Sequence, residues 1–428
     1  MLSFKELLLA VSAFGLINEL HAETAVTQQS ATKEITTKSN KPHLKAEQKL
    51  GLKPELAAVP FFFSSENLST AFGGAAVIKH AGQPQSSALG IGLYTTNDSW
   101  VGYMSFNNYQ LPKGIAPQWL FGLEHYQAFY KEGTYFINDA DRKAQSMNQR
   151  IITQGDESFS KLHLEYVLPI GKGVNGAAAS LRPSKQKVNW NPLTSGVSTV
   201  TFTPFMQSQA LLIATSEPSQ TKGLEISFDW DNRDNGKNSS DGGQTNLKIR
   251  NGFSDDEAPS WTTWSFEQSA FFSIGKNDFF RQQILATHFY LADTPTWNSQ
   301  SGEDDYHRPP SYAGVSLGGY EQLRGYSTKR FTGRSALLYT LEYRVQPHWQ
   351  PLQEWPIFNF YDVPWWQWVV FAEVGNVSDS FSISALHQDM EWSLGAGARF
   401  EVESVVIRAE LGVSDESNQF WVMVSQPF

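Results

Sequence analysis

The side chains able to do chemistry fall into three groups. His125 beside Glu124, and His163 near Glu165, could pass protons in a hydrolase. Asp229 and Asp231 bring two carboxylates close enough to invite a cation. The segment Gly318-Gly319-Tyr320-Glu321-Gln322-Leu323-Arg324-Gly325-Tyr326 offers a single guanidinium among small and bulky neighbours. Its chemistry would be charge pairing, because a guanidinium taken out of water is stable only against a carboxylate that meets its fork. The bland alternative is a solvated loop arginine.

The first two groups lack companions. There is no Gly-x-Ser-x-Gly to supply a nucleophile, no His-Glu-x-x-His and no phosphate-binding loop. A hydrolase therefore gives way to hydrogen-bonded histidines without catalytic work. Asp229 and Asp231 lack the glycine and the distal glutamate of a calcium loop. No metal, no cofactor and no enzymatic activity are expected.

What positions these residues is a series of strands. Trp392, Leu394, Ala396, Ala398 and Phe400 alternate with Ser393, Gly395, Gly397, Arg399 and Glu401, so an apolar face meets lipid while a small or charged face meets a wet lumen. Similar segments recur from Phe61 onward, among them Trp119 to Phe129, Lys161 to Leu168, Trp261 to Ser273, Ala336 to Arg344, Trp368 to Asn376 and Phe420 to Phe428. The total comes to about sixteen, and an even count is what one-chain bacterial barrels have. The expected fold is all-β, a single transmembrane antiparallel β-barrel over residues 58–428 with both termini in the periplasm. Counting back from Phe428 makes 295–334 a long outer loop, and puts the aromatic stretch Trp355 to Trp368, with Phe358, Phe360 and Tyr361, at an inner headgroup layer.

Composition agrees. Mean hydropathy is -0.36 and no apolar run approaches the roughly 20 residues of a spanning helix, which leaves closed barrels as the membrane-spanning option. Aromatics make up 14% of the chain, with 14 Trp, enough for two interfacial girdles. A net charge of -10 offers no basic stripe, so nucleic acid is not a partner. The absence of cysteine fits an oxidising compartment. Residues 1–22 read as a signal peptide, with Lys5 before an apolar stretch from Leu7 to Ile17, and residues 23–57 as a disordered periplasmic tether rich in Thr, Ser, Gln, Lys and Glu.

Leu323-Arg324-Gly325-Tyr326, followed by Arg330-Phe331-Thr332-Gly333 and a strand ending Leu341-Glu342-Tyr343-Arg344, resembles the outer-membrane assembly and two-partner-secretion superfamily, the BamA-, TamA- and FhaC-type surface-antigen barrels. The resemblance implies a sixth extracellular loop folded back into the lumen, its tip arginine paired with the acid of a Phe-x-Asp-x-Gly motif. Here that motif reads Phe371-Ala372-Glu373-Val374-Gly375, so an Arg324 to Glu373 pair is expected, with Phe371, Glu373 and Gly375 sharing the inward face and Gly325 allowing the tight turn. Asp231, Arg233, Asp234 and Asn235 are similar to the family's mid-barrel Asp-x-Arg-Asp-Asn element.

The resemblance also implies a bacterial outer-membrane location and help in inserting or translocating protein or lipid. The short tether leaves no room for a POTRA module, so the chain reads as a barrel-only branch. Outer-membrane lipid, a separate periplasmic partner and a second copy in a homodimer are the partners to expect, and a structural or oligomeric barrel without assembly activity is the alternative function. Pro60 and Pro427 are expected at the periplasmic end of a seam between first and last strands, each removing a ladder donor. Phe428 would be the aromatic assembly signal closing the last strand.

Overall fold

The computed structural model describes residues 54–65, 69–111, 115–137, 149–181, 188–213, 217–256, 258–300, 306–355, 363–402, 405–424 and 426–428. The expected signal peptide, the tether up to residue 53, and Phe358, Phe360 and Tyr361 lie outside the described residues.

Sixteen strands form one antiparallel sheet, each paired with the next in chain order. They are β1 (Glu55–Ser65), β2 (Ser69–Lys79), β3 (Ser87–Thr95), β4 (Trp100–Tyr109), β5 (Trp119–Ile137), β6 (Gln149–Val167), β7 (Val197–Leu211), β8 (Gln220–Asp231), β9 (Gly242–Gly252), β10 (Trp261–Gly275) and β11 (Phe280–Asp293). After a long loop come β14 (Ser335–Pro347), β15 (Trp366–Ser378), β16 (Glu391–Val402), β17 (Val405–Val413) and β18 (Asn418–Val424). Inside that loop β12 (Val315–Leu317) pairs with β13 (Phe331–Gly333). We call the end where β1 starts and β18 stops the lower end.

The sheet curls around an interior. Lys237, in the β8–β9 turn, reaches Glu401 of β16 at 3.0 Å, and Phe428 packs on Phe271 of β10, so halves of the sheet far apart in strand order face each other. Alternation assigns the faces: on β15, Trp368, Val370 and Val374 are exposed while Val369, Phe371 and Glu373 are buried. Exposed Leu341, Leu394, Leu411 and Phe420 continue the outward apolar surface, the pattern of a membrane-spanning barrel. The interior differs around its circumference. Ile91, Leu93, Val101, Tyr103, Tyr126 and Phe159 make an apolar wall on β3 to β6, whereas β14 to β17 carry charge.

Several boundaries differ from expectation. The first strand begins at Glu55, inside the expected tether, with Leu56 opposite Ile78. β5 and β6 are 19 residues each, well beyond the expected segments, and pair from Trp119–Tyr166 up to Ile137–Gln149. Their pattern was hidden because Lys131 and Glu132 interrupt the alternation where the register shifts between Tyr130 and Gly133. Pro60 is not at a strand start: it lies mid-strand, opposite Gly74, a position a proline tolerates on an edge strand. Pro427 lies beyond the end of β18, so the two prolines do not weaken the seam at one level.

The described residues of the aromatic stretch have two kinds of surroundings. Trp349, Trp366 and Trp368 form a chain of edge-to-face contacts at 5.8 and 5.0 Å. Trp365 turns away from it, its indole N–H donating to Glu401 at 2.7 Å.

Candidate functional site

The long loop descends from the upper end, narrows through the β12–β13 pair, and places residues 318–330 inside the barrel. An apolar knot holds it: Leu323 and Tyr326 of the tip pack with Val315, Leu317, Phe331, Leu338 and Val377. Tip geometry departs from expectation at one residue. The left-handed position is Leu323, with φ of 50°, and not Gly325. Gly325 is required for space: a Cβ there would meet the Val413 carbonyl at 2.7 Å, and one on Gly412 would strike the Arg324 carbonyl. Loop and β17 backbones touch at these two glycines.

Arg324 is fully buried, as is Glu373. Its Nε donates to Glu373 Oε1 at 3.1 Å, and its backbone N–H donates to Oε2 of the same carboxylate at 2.6 Å. The guanidinium lies 3.5 Å over the Phe371 ring. The expected pair and the shared inward face of Phe371, Glu373 and Gly375 are thus brought together. The rest of the tip is equally tied. Gly325 N–H donates to Ser393 Oγ at 2.7 Å, Trp421 Nε1 donates to the Arg324 carbonyl at 2.7 Å, and the Tyr326 hydroxyl lies 2.8 Å from Glu391 and 2.5 Å from Asp415.

Glu373 is one acid among three. Arg324 Nη1 also lies 2.7 Å from Glu342 and 2.8 Å from Glu410. Arg399 bridges the same two acids, at 2.8 and 2.5 Å; Arg344 adds to Glu342 at 2.7 Å and Arg408 to Glu410 at 3.3 Å. Arg408 Nη1 also donates to the Tyr320 carbonyl at 3.1 Å. Four arginines and three glutamates therefore share one buried cluster, all with side chains at 0% exposure. Burial alone would push Arg324 to lose its proton, but Glu373, Glu410 and Glu342 outweigh it and hold its pKa above the ordinary arginine value.

At this level the expected open lumen is filled by the loop tip and the wall side chains. Each loop or wall charge has lost water, and such a cluster persists only because every acid meets more than one donor. Sequence reasoning singled out neither Glu342, Glu410, Arg344 nor Arg408 as site residues. A signal was there: Glu342 with Arg344, and Arg408 with Glu410, are period-two pairs, so both members face inward.

The mid-barrel element lies elsewhere, at the lower end. Arg233 grips Asp231 with Nε and Nη2 at 3.1 and 2.9 Å, Asp234 accepts from Ser240 and Asp241, and Asn235 accepts from the Lys237 N–H at 2.9 Å. These bonds staple the β8–β9 turn that carries Lys237 across the lumen. Among the described residues no cluster of acids, histidines or cysteines could hold a metal ion. His163 is 3.5 Å from Glu124, while His125 meets Ser160 at 2.9 Å. Phe428 leaves the strand line: its ring stacks on His288 of β11 at 5.0 Å instead of closing the last strand.

No family model matches the chain, and no curated protein matches it by sequence. Among solved structures it is similar to CdiB from Escherichia coli, with TM-score 0.53 and 14% identity over 86% of this chain and 60% of that one. BamA from Haemophilus ducreyi lacking POTRA domains 1-3 gives 0.49 and 10% over 87% and 69%; CdiB from Acinetobacter baumannii gives 0.47 and 13% over 86% and 57%. The chain thus spans about 60% of the length of the Escherichia coli structure. The likeness concerns architecture: the chain has the β-barrel fold of CdiB from Escherichia coli.

Proposed function

We propose that this chain is a bacterial outer-membrane barrel of the assembly and two-partner-secretion type that helps polypeptide or lipid insert into or cross that membrane. The observation that carries the reading is Arg324, lodged at mid-lumen among Glu373, Glu342 and Glu410. A loop that only covered the barrel mouth would not bury a guanidinium against three acids, because desolvating those charges is costly. The loop is a lumenal element with a fixed seat. The apolar outward face supports placement in a bilayer, and the fold shared with CdiB supports the transport class.

The test is reconstitution in lipid vesicles with an unfolded outer-membrane polypeptide as client. Wild-type protein should speed client insertion or passage over empty vesicles, and Arg324→Ala should abolish the gain while still forming a folded barrel. Equal rates in empty and wild-type vesicles would overturn the proposal. A stable homodimer without any transfer would favour a structural barrel instead.

A further inference from the structure

After β18 the chain does not run on along the wall. Gln426 is buried and bridges two far-separated elements: its side-chain oxygen accepts from Arg399 Nη1 at 2.5 Å, and its amide donates to the Lys237 carbonyl at 2.8 Å. Two residues on, Phe428 packs on the β10–β11 wall, which lies between those elements in strand order. Its ring lies 5.0 Å from His288, nearly parallel at 20°, and 6.1 Å from Phe271, with the Arg344 guanidinium 5.0 Å above it. Ile284 and Ala286 complete the apolar floor. His288 is fixed from behind by Ser269, whose hydroxyl lies 3.0 Å from Nδ1.

Directly below lies open space. A wide-open pocket of about 390 Å³ at the lower end is lined by Ser273, Gly275, Lys276, Arg281, Gln282 and Gln346. Ser273 follows Phe271 on the same face of β10, Gln282 precedes Ile284 on β11, and Gln346 follows Arg344 on β14. The seat of Phe428 is therefore the next layer up from this vestibule, and the buried arginine cluster is the layer above that. Residues 426–428 lie between the two, tied to β16, the β8–β9 turn and the β10–β11 wall.

We infer that the β10–β11 wall carries a binding slot for an aromatic side chain, filled in cis by Phe428, and that the segment 426–428 closes the lower lumen until it leaves that slot. The contacts are of a releasable kind, among them one ring with two aromatic neighbours and a cation, and side-chain amide bonds from Gln426. Arg399 keeps Glu342 and Glu410 when Gln426 departs, so opening strands no charge. The loop lock above and the segment below are then two stacked barriers that share Arg399 and Arg344. The inference does not depend on what the barrel carries.

Because the natural chain has no cysteine, thiol chemistry reports cleanly. In planar bilayers, Phe428→Ala and the double variant Gln426→Ala/Phe428→Ala should conduct several-fold more than wild type, and an acetylated Gln-Pro-Phe peptide added on the lower side should restore the block. In a His288→Cys/Phe428→Cys variant, a short reducible bis-thiol linker should join the two positions in the membrane-embedded protein and suppress openings until reduced. Failure of the linker to join them would overturn the slot whatever the conductance. Wild-type conductance in the alanine variants, or openings that persist with the linker in place, would overturn the closure. Should the alanine variants fail to fold, the linker arm decides alone.

Discussion

Removing the loop arginine is the sharpest perturbation of the buried cluster. Arg324 contacts Glu373, Glu342 and Glu410 at 2.7 to 3.1 Å. Each pair is worth about 4 kcal/mol of attraction at an effective dielectric near 20, offset by several kcal/mol of lost hydration per ion. In Arg324→Ala, Glu342 and Glu410 keep Arg399, but Glu373 loses the cation it pairs with. The net cost is that of stranding a buried charge, about 3–5 kcal/mol. It falls on docking of the loop, because the strand ladders are untouched. Opening of residues 318–330 should rise by roughly two to three and a half orders of magnitude. Glu373→Gln should cost less, about 1–3 kcal/mol, since Arg324 keeps two acids and the amide keeps an acceptor. Combining Arg324→Ala with Glu373→Ala should cost less than the sum of the single changes. Native-state hydrogen exchange with limited proteolysis reads loop opening, and urea unfolding in micelles reads the barrel. If Arg324→Ala leaves loop protection within about 1 kcal/mol of wild type, the lock does not hold the loop.

Gly325→Ala pushes a Cβ against the Val413 carbonyl, a backbone atom that has no room to yield, and should loosen the docked tip by about 1–3 kcal/mol in the same exchange experiment. Leu394→Arg, on the outward face opposite the lumenal Ser393, should lower stability in vesicles by about 2–4 kcal/mol if the residue faces mid-bilayer; a neutral result would place that face in water. Tyr326→Phe removes a hydroxyl shared by Glu391 and Asp415 and should cost about 1 kcal/mol by urea titration. For Glu217, whose carboxylate accepts from Ser311, burial raises the pKa above the ordinary carboxylate range. A raised folded value means the protonated acid is favoured in the fold, so its contribution is complete below the ordinary pKa and is lost as pH rises through the raised one. Proteolysis at Ser311 should quicken over that rise, and Glu217→Gln should flatten the profile.

The period-two pattern exposed the sixteen strands because a barrel wall in lipid has one apolar face at every residue pair, as in Trp392 to Phe400. Where the alternation breaks, so did legibility: Lys131 and Glu132 interrupt β5 where its register to β6 shifts between Tyr130 and Gly133, and the apolar residues beyond, Tyr135, Phe136 and Ile137, no longer continue the period of the lower half. The Arg324 to Glu373 contact was legible because a motif carried it. The other acids were not, since an inward glutamate such as Glu410 has the same spacing in a flooded lumen as in a filled one. Filling depends on where a loop of some forty residues folds, and that is set by contacts such as Gly325 on Val413 that no local pattern records. The path of residues 426–428 was misread for a similar reason. Pro427 and Phe428 suit the end of an outer strand, and only the far wall at His288 and Phe271 shows where the ring goes.

The most direct measurement is amide exchange at Arg324 and Gly325 in the bilayer-embedded barrel. Both N–H groups donate inside the lumen, to Glu373 at 2.6 Å and to Ser393 at 2.7 Å. The account requires them to exchange as slowly as the mid-strand amides of β15. Exchange at the rate of a solvent-exposed loop, with β15 still protected, would contradict it.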